Sequence, residues 1–161
     1  LKKTFTFLSS LPKNKVNKII YKDSPQGHFS EKNFFKKNFK NLTFIDKPPE
    51  QYLKEISLVV MNNYSTFFFK SVAMNIPTIL ICKKNCWAST KKAQKIFDTF
   101  QKVGILIQDP KKAAKKLNTN TLDWWYSKKT QSARKLFCNE FALSDKNTFK
   151  TWMKYFIKSK I

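Results

Sequence analysis

Residues 57–81, SLVVMNNYSTFFFKSVAMNIPTILI, combine two apolar runs with a helical pattern between them. The first run predicts a buried strand over residues 57–61, and TILICKK at 78–84 predicts a second one. An apolar stripe at i, i+3, i+4 and i+7 predicts an amphipathic helix between them, which Pro77 ends. The stripe consists of Phe69, Val72, Ala73 and Ile76. The segment therefore predicts a strand, a helix and a strand, which is the unit of a parallel sheet.

The flanking segments repeat this alternation. Before the segment we expect a helix from Leu1, a strand over 18–23, a helix over 30–40 capped by Ser30, a strand in NLTFIDKP and a helix from Pro49. After it we expect helices over 89–102, from Asp109, over 122–142 and over 146–158, with a short GILIQ strand at 104–108. This order predicts an α/β fold, in which an open parallel sheet carries helices on both faces and is followed by C-terminal helices.

The length of 161 residues fits one domain. Apolar residues already recur at helical spacing from Leu1 onward. We therefore expect residues 1–161 to be a single domain of a longer protein, without its N-terminal partner domain.

The chain is strongly basic, with 32 lysine and arginine residues against 10 acidic ones and a formal net charge of +22. Such a surface attracts nucleic acids and anionic membranes. However, Arg134 is the single arginine, and arginine supplies the bidentate contacts that read bases and grip phosphate. We interpret the charge as solvated lysines from an AT-rich coding sequence and expect no nucleic-acid partner. A basic module that binds RNA or another anion is the alternative.

The cysteine and histidine content argues against disulfides and metals. Cys82, Cys86 and Cys138 are odd in number, which favours a reduced, cytoplasmic compartment. His28 is the only histidine and there is no second cysteine pair, whereas structural zinc needs four ligands. We expect no metal, no cofactor and no transmembrane segment, because no apolar run approaches the roughly 20 residues of a membrane-spanning helix.

Candidate binding residues lie where the strand over 57–61 runs into the following helix. In open parallel sheets ligands bind at the carboxyl ends of the strands, and a helix N-terminus offers unpaired N–H groups and partial positive charge to a phosphate. Asn63, Ser65 and Thr66 occupy this turn. The turn predicts a diphosphate site, with ordinary helix capping by Asn63 or Ser65 as the alternative.

Two longer runs resemble known transferases. NNYSTFFFKSVAMNIPTILI at 62–81 resembles the Ser/Thr-Thr, Leu-Glu-x-Leu-Ala and Asn-x-Pro-Thr pattern of GT-B-like glycosyltransferases and surface-polysaccharide transferases. AAKKLNTNTLDWWYSKKTQSARKLFCNEFA at 113–142 is similar to the tail of a bacterial transferase family linked to surface carbohydrate biosynthesis. The resemblance implies the Rossmann-like C-terminal half of a GT-B glycosyltransferase in cell-surface polysaccharide biosynthesis, with a nucleotide sugar as donor substrate and a glycan as acceptor.

The resemblance also implies roles for individual residues. Ser65 and Thr66 would lie against the donor phosphates, and Asn75, Pro77 and Thr78 would shape the turn into the next strand. No catalytic acid or base can be assigned from the sequence.

Two lysines depart from the family pattern. Lys70 stands where related proteins place a glutamate that accepts hydrogen bonds from the donor ribose, and Lys22 stands where an arginine follows the first strand. Lysine donates hydrogen bonds but does not accept them. We therefore interpret Lys22 as a phosphate contact and Lys70 as a possible contact to the nucleotide-sugar donor. His28, in the loop after the first strand, is a further candidate for contact with the donor.

Three other functions stay open beside the glycosyltransferase. One is a sugar-nucleotide epimerase, and the others are a non-catalytic remnant and the basic anion-binding module described above. The tryptophan pair does not decide between them. Adjacent residues of a helix point about 100° apart, so Trp124 and Trp125 cannot stack on one sugar together, and we interpret both as packing residues.

Overall fold

The computed structural model describes residues 1–23, 31–83 and 90–141. In these ranges the α-helices are α1 (Lys2–Ser9), α2 (Lys13–Val16), α3 (Lys32–Asn38), α4 (Thr66–Ala73), α5 (Lys91–Val103), α6 (Pro110–Leu117), α7 (Thr121–Tyr126) and α8 (Lys128–Phe141). The strands are β1 (Ile20–Lys22), β2 (Thr43–Ile45), β3 (Val59–Met61) and β4 (Thr78–Leu80). The chain is therefore an α/β protein, as predicted. The predicted Ser30 cap and the helix over 146–158 lie outside the described residues.

The strands form two short parallel pairs. Tyr21 of β1 lies opposite Phe44 of β2, and Val60 of β3 lies opposite Ile79 of β4. Where a GILIQ strand was predicted, a single parallel bridge joins Leu106 to β4. Parallel pairing is confirmed, but in the described part of the chain these pairs do not join into one open sheet.

Strand β4 separates two apolar clusters. Ile79 and its neighbour Ile81 belong to the cluster that α1, α3 and α6 cover. Leu80 and Cys82 belong to the cluster that α4, α5 and α8 cover. Successive side chains of a strand point to opposite faces, so helices cover both faces of this strand. That part of the predicted architecture is confirmed.

Aromatic side chains dominate the second cluster. Phe68 of α4, Phe100 of α5 and Phe137 of α8 are fully buried, with ring centroids 5.1 to 6.3 Å apart. Burial of each such side chain contributes about 1.5–3 kcal/mol. These contacts attach α4 firmly to the two helices beside it.

Several helices differ from the predicted ones. The expected helix from Pro49 is a single 3-10 turn, Pro49–Tyr52. The expected helix over 122–142 is interrupted at Ser127, whose backbone is extended (φ −60°, ψ 147°) and whose Oγ accepts a bond from the N–H of Thr130 at 3.4 Å. The interruption lets α8 start with its own cap.

The buried stripe of α4 is also shifted from the predicted one. It runs through Phe68, Ser71 and Val72, whereas Phe69 and Ala73 are only partly buried. No helix within the described ranges has both the length and the apolar character that a membrane crossing requires.

Candidate functional site

The N-terminus of α4 lies directly after β3, and its side-chain cap position is unused. Ser65 is the N-cap residue, with the extended backbone typical of that position (φ −140°, ψ 169°). Its carbonyl accepts a bond from the N–H of Phe68 at 3.0 Å, but its hydroxyl makes no capping hydrogen bond. Ser65 is thus the N-cap residue by its backbone, and its side chain does not cap the helix.

Three later helices of the same chain do have side-chain caps. Thr90 caps α5 by accepting from the N–H of Ala93 at 3.2 Å. Asp109 caps α6 by accepting from the N–H of Lys111 at 2.8 Å, and Asn120 caps α7. A helix N-terminus leaves N–H groups that need an acceptor. At α4, as at α1, α2 and α3, no side chain makes such a bond.

The turn before α4 is anchored on both sides. Asn62 donates from Nδ2 to Thr4 Oγ1 of α1 at 3.1 Å. The ring of Tyr64 packs against Phe68 and Phe97, with centroid distances of 6.1 and 4.8 Å. Between these anchors Asn63 is exposed and Ser65 is half-buried, and Thr66, the first residue of α4, is exposed. The structure thus brings Asn63, Ser65 and Thr66 together in one accessible turn on a fixed support.

Lys70 forms an ion pair on the exposed side of α4. Its Nζ lies 3.0 Å from Oε1 of Glu50 in the 3-10 turn after β2. The hydrogen bond from Lys70 holds the pKa of the Glu50 carboxyl below its usual range. Thr66 and Lys70 are four residues apart and share a helix face. The ion pair therefore places a carboxylate on the same side of α4 as Thr66.

Lys22 lies at the end of β1 and contacts the end of β2. Its Nζ donates to the carbonyl of Asp46 at 2.9 Å, while the Asp46 carboxylate is 2.6 Å from Nζ of Lys32. That hydrogen bond, aided by the positive charge of Lys32, lowers the pKa of Asp46. The segment over 46–50 thus holds Lys22 at one end and Lys70 at the other. No hydrogen bond or ion pair among the described residues joins Lys22 to α4 directly, and His28 lies outside the described residues.

The C-terminal end of α4 is fixed by Asn75 and Trp125. Asn75 has a left-handed backbone (φ 60°), which asparagine tolerates better than most residues. Its Oδ1 accepts from Nε1 of Trp125 and from Nε2 of Gln131, both at 3.0 Å. Thr78, which follows the buried Pro77, donates its hydroxyl to the carbonyl of Ile76 at 2.8 Å. In the Asn-x-Pro-Thr turn, Oδ1 of Asn75 and the hydroxyl of Thr78 are thus both hydrogen-bonded.

The single arginine completes this support. Nη1 of Arg134 donates to the carbonyls of Val72 and Ala73 at 3.2 and 3.4 Å. These carbonyls lie at the negative end of the α4 dipole, where a cation is stabilising. Sequence reasoning missed Gln131 and Arg134. Their spacing of three on one face of α8 is the signal that was available.

Both tryptophans pack inside the protein, as predicted. Trp125 is fully buried. Trp124 is partly buried and donates from Nε1 to the carbonyl of Val103 at 2.6 Å. The ammonium of Lys116 lies 4.1 Å from the centroid of a Trp124 ring, and burial lowers the pKa of Lys116.

Metal-ligating side chains are not grouped in the described part of the chain. There, no three His, Cys, Asp or Glu residues come together to hold a metal ion. Cys82 and Cys138 are buried and form no disulfide within the described residues. Burial raises the pKa of the Cys138 thiol, and Cys86 lies outside the described residues.

Comparison with protein families gives a match over nearly the whole chain. The family described as LIC12162 family transferase matches residues 1–156. Searches of curated proteins and of solved structures gave no match. The matched range includes both the turn at the start of α4 and the network that holds its end.

Proposed function

The chain belongs to the LIC12162 family of transferases, and we propose that it binds the diphosphate of a nucleotide-sugar donor. In this proposal it is the donor half of a GT-B-type glycosyltransferase that acts in cell-surface polysaccharide assembly. The observation that carries the proposal is the N-terminus of α4, which follows β3 at its carboxyl end and is left uncapped by the Ser65 hydroxyl. Anions bind at such helix starts because N–H groups and the helix dipole converge there.

The proposed chemistry is electrostatic. In glycosyl transfer the bond from the anomeric carbon to the diphosphate oxygen breaks, while the acceptor hydroxyl oxygen bonds to that carbon and loses its proton to a base. Negative charge grows on the leaving diphosphate. The first-turn N–H groups and the hydroxyls of Ser65 and Thr66 would stabilise that charge from fixed positions. The rigid anchoring of the turn by Asn62 and Tyr64 supports this role.

Lys22, and Glu50 as the ion-pair partner of Lys70, both keep hydrogen-bonding groups that could contact the nucleotide sugar. An ammonium has three N–H donors, and Lys22 uses one of them on Asp46. A carboxylate has two oxygens and about four lone-pair sites. Nζ of Lys70 donates to Oε1 of Glu50, which leaves further lone pairs of this carboxylate for a ligand. We propose that Glu50 accepts from the donor ribose in place of the glutamate that position 70 lacks.

Thermal-shift titrations with nucleoside diphosphates and nucleotide sugars test the proposal. A ligand at 100 times its Kd stabilises the folded state by about 2.7 kcal/mol, so a binding nucleotide raises Tm measurably. Ser65→Ala removes one hydrogen bond, worth about 0.5–1.5 kcal/mol, and weakens binding about 2- to 10-fold. Ser132→Ala, on the exposed side of α8, is the matched control and leaves binding unchanged. If no nucleotide raises Tm at millimolar concentration, the donor-binding proposal is wrong.

A further inference from the structure

Six exposed lysines lie on three helices that cover one side of the molecule. They are Lys2 on α1, Lys13 and Lys15 on α2, and Lys111, Lys112 and Lys115 on α6. None of them forms a salt bridge with another described residue. We call these six residues the α1–α6 basic face.

The buried sides of these helices place α1, α2 and α6 on one side of the molecule. Phe7 and Leu8 of α1 and Ala113 and Ala114 of α6 belong to one apolar cluster, which lies against one face of β4. Nζ of Lys15 donates to the carbonyl of Leu117 at 3.3 Å, which ties α2 to the end of α6. Helices α5 and α8 cover the opposite face of β4. The outward surfaces of α1, α2 and α6 therefore lie on one side, away from α5 and α8.

Helices α1, α2 and α6 themselves contain no acidic residue. Asp109 precedes α6 as its N-cap residue, and its Oδ1 is engaged by the N–H of Lys111. The positive charge of the face is consequently available to an external anionic partner.

We propose that the α1–α6 basic face docks on an anionic lipid bilayer. A bilayer presents a broad negative surface, and lysines spread over three helices complement it without any bidentate geometry. The single arginine, Arg134, lies on α8, where it donates to the carbonyls of Val72 and Ala73. It is therefore not part of the α1–α6 basic face. This inference does not depend on the donor-binding function.

The aromatic residues of these helices favour the bilayer over RNA. Single-stranded RNA is bound by aromatic rings on which its bases stack. On α1 the ring of Phe7 is buried, and that of Phe5 packs against Phe34 and Phe39 at 5.6 Å. The three helices themselves therefore offer charge without a fully exposed aromatic ring.

Vesicle co-sedimentation of the 161-residue chain tests the proposal. Vesicles of phosphatidylcholine alone are compared with vesicles that also contain phosphatidylglycerol, at low and at physiological ionic strength. The face variant is Lys111→Gln/Lys112→Gln/Lys115→Gln. The control variant, Lys91→Gln/Lys95→Gln/Lys135→Gln, removes three exposed charges from α5 and α8.

The expected result is binding to the anionic vesicles that weakens with salt. Each lysine near such a surface contributes about fivefold in partitioning, so the face variant loses on the order of 100-fold. The control loses less than about threefold. Circular dichroism melts establish that both variants fold.

Three outcomes would overturn the proposal. The first is no binding to anionic vesicles at low ionic strength. The second is an equal loss in the two triple variants, which would show that only total charge matters. The third is tighter binding to single-stranded RNA than to the vesicles, with the face variant weakening RNA binding, which would assign the face to nucleic acid.

Discussion

The indole nitrogen of Trp125 donates to both oxygens of Asn75, at 3.0 Å to Oδ1 and 3.1 Å to the main-chain carbonyl. The two residues are 50 positions apart. They join the Asn-x-Pro-Thr turn after α4 to the tryptophan pair of α7. Buried polar groups need hydrogen-bond partners, and Trp125 and Asn75 supply them to each other. The two segments that resemble transferases are thus parts of one structural unit, which fixes the end of the helix whose start is the proposed phosphate site.

Trp125→Phe is expected to destabilise the protein by about 2–4 kcal/mol, because it leaves a cavity and removes the donor to Asn75. Trp125 is 0% exposed. The measurement is the free energy of unfolding in urea. The control is Tyr126→Phe, since Tyr126 is 56% exposed and its change stays within about 0.5 kcal/mol. Equal effects of the two substitutions would contradict the assigned role of Trp125.

Two substitutions of Asn75 separate its backbone role from its side-chain role. Both Asn75→Gly and Asn75→Ala remove the Oδ1 acceptor of Trp125 and Gln131. Only alanine also strains the left-handed backbone at φ 60°, so we expect Asn75→Ala to be less stable than Asn75→Gly by about 1–2 kcal/mol. Thermal and urea unfolding measure the difference. Identical stabilities would mean that the turn relaxes to another conformation.

The elements predicted correctly are those with local signals. The strand, helix and strand around α4 follow from apolar periodicity, and α6 follows from Asp109 as cap and Pro110 as first helical residue. Both signals act within a few residues, so the sequence displays them directly.

The misplaced features depend on distant partners. The helix expected from Pro49 has favourable first-turn residues, yet it forms only a 3-10 turn, in which Glu50 pairs with Lys70 across 20 positions. Likewise, Arg134 donates to the carbonyl of Val72, which is 62 positions away in the sequence. No periodicity or spacing encodes such contacts. In the candidate site the sequence located the turn at Ser65 but not the ion pair beside it.

Gly104 requires a left-handed backbone, with φ 79° at the C-cap of α5. A Cβ there would lie 3.0 Å from Nζ and 3.1 Å from Cε of Lys116. Gly104→Ala is expected to cost about 1–2 kcal/mol, mainly from backbone strain, because the flexible lysine end can move aside. Gly104→Asn should cost less, since asparagine tolerates this conformation. Urea unfolding of both variants provides the comparison, and the reverse order would refute the assignment to backbone strain.

The pair of Lys32 and Asp46 predicts a pH effect with a defined sign. The hydrogen bond from Lys32 keeps the pKa of Asp46 below its usual range. The resulting stability is present above the unfolded-state pKa of the carboxyl, and it is lost as pH falls through the folded-state pKa. Lys32→Gln is expected to raise the Asp46 pKa and to flatten the acid side of the stability profile. NMR titration of the Asp46 carboxyl carbon measures this, with Lys40→Gln as control. An unchanged titration in Lys32→Gln would rule the pairing out.

A charge reversal at Lys70 and Glu50 tests the proposed ribose contact. Lys70→Glu alone places two carboxylates together and lowers stability, whereas Lys70→Glu with Glu50→Lys restores the pair, whose contribution at an exposed site is at most about 1 kcal/mol. The double variant moves the carboxylate from the 3-10 turn to α4 itself. A hydrogen bond from a ribose hydroxyl to a carboxylate is worth about 1.5–3 kcal/mol, so the double variant should retain nucleoside-diphosphate binding, whereas Glu50→Gln should weaken it by at least about tenfold. Calorimetric titration measures the Kd, and 2′,3′-dideoxynucleoside diphosphates should bind the wild type and Glu50→Gln equally. An equal loss with both kinds of ligand would mean that Glu50 does not contact the ribose.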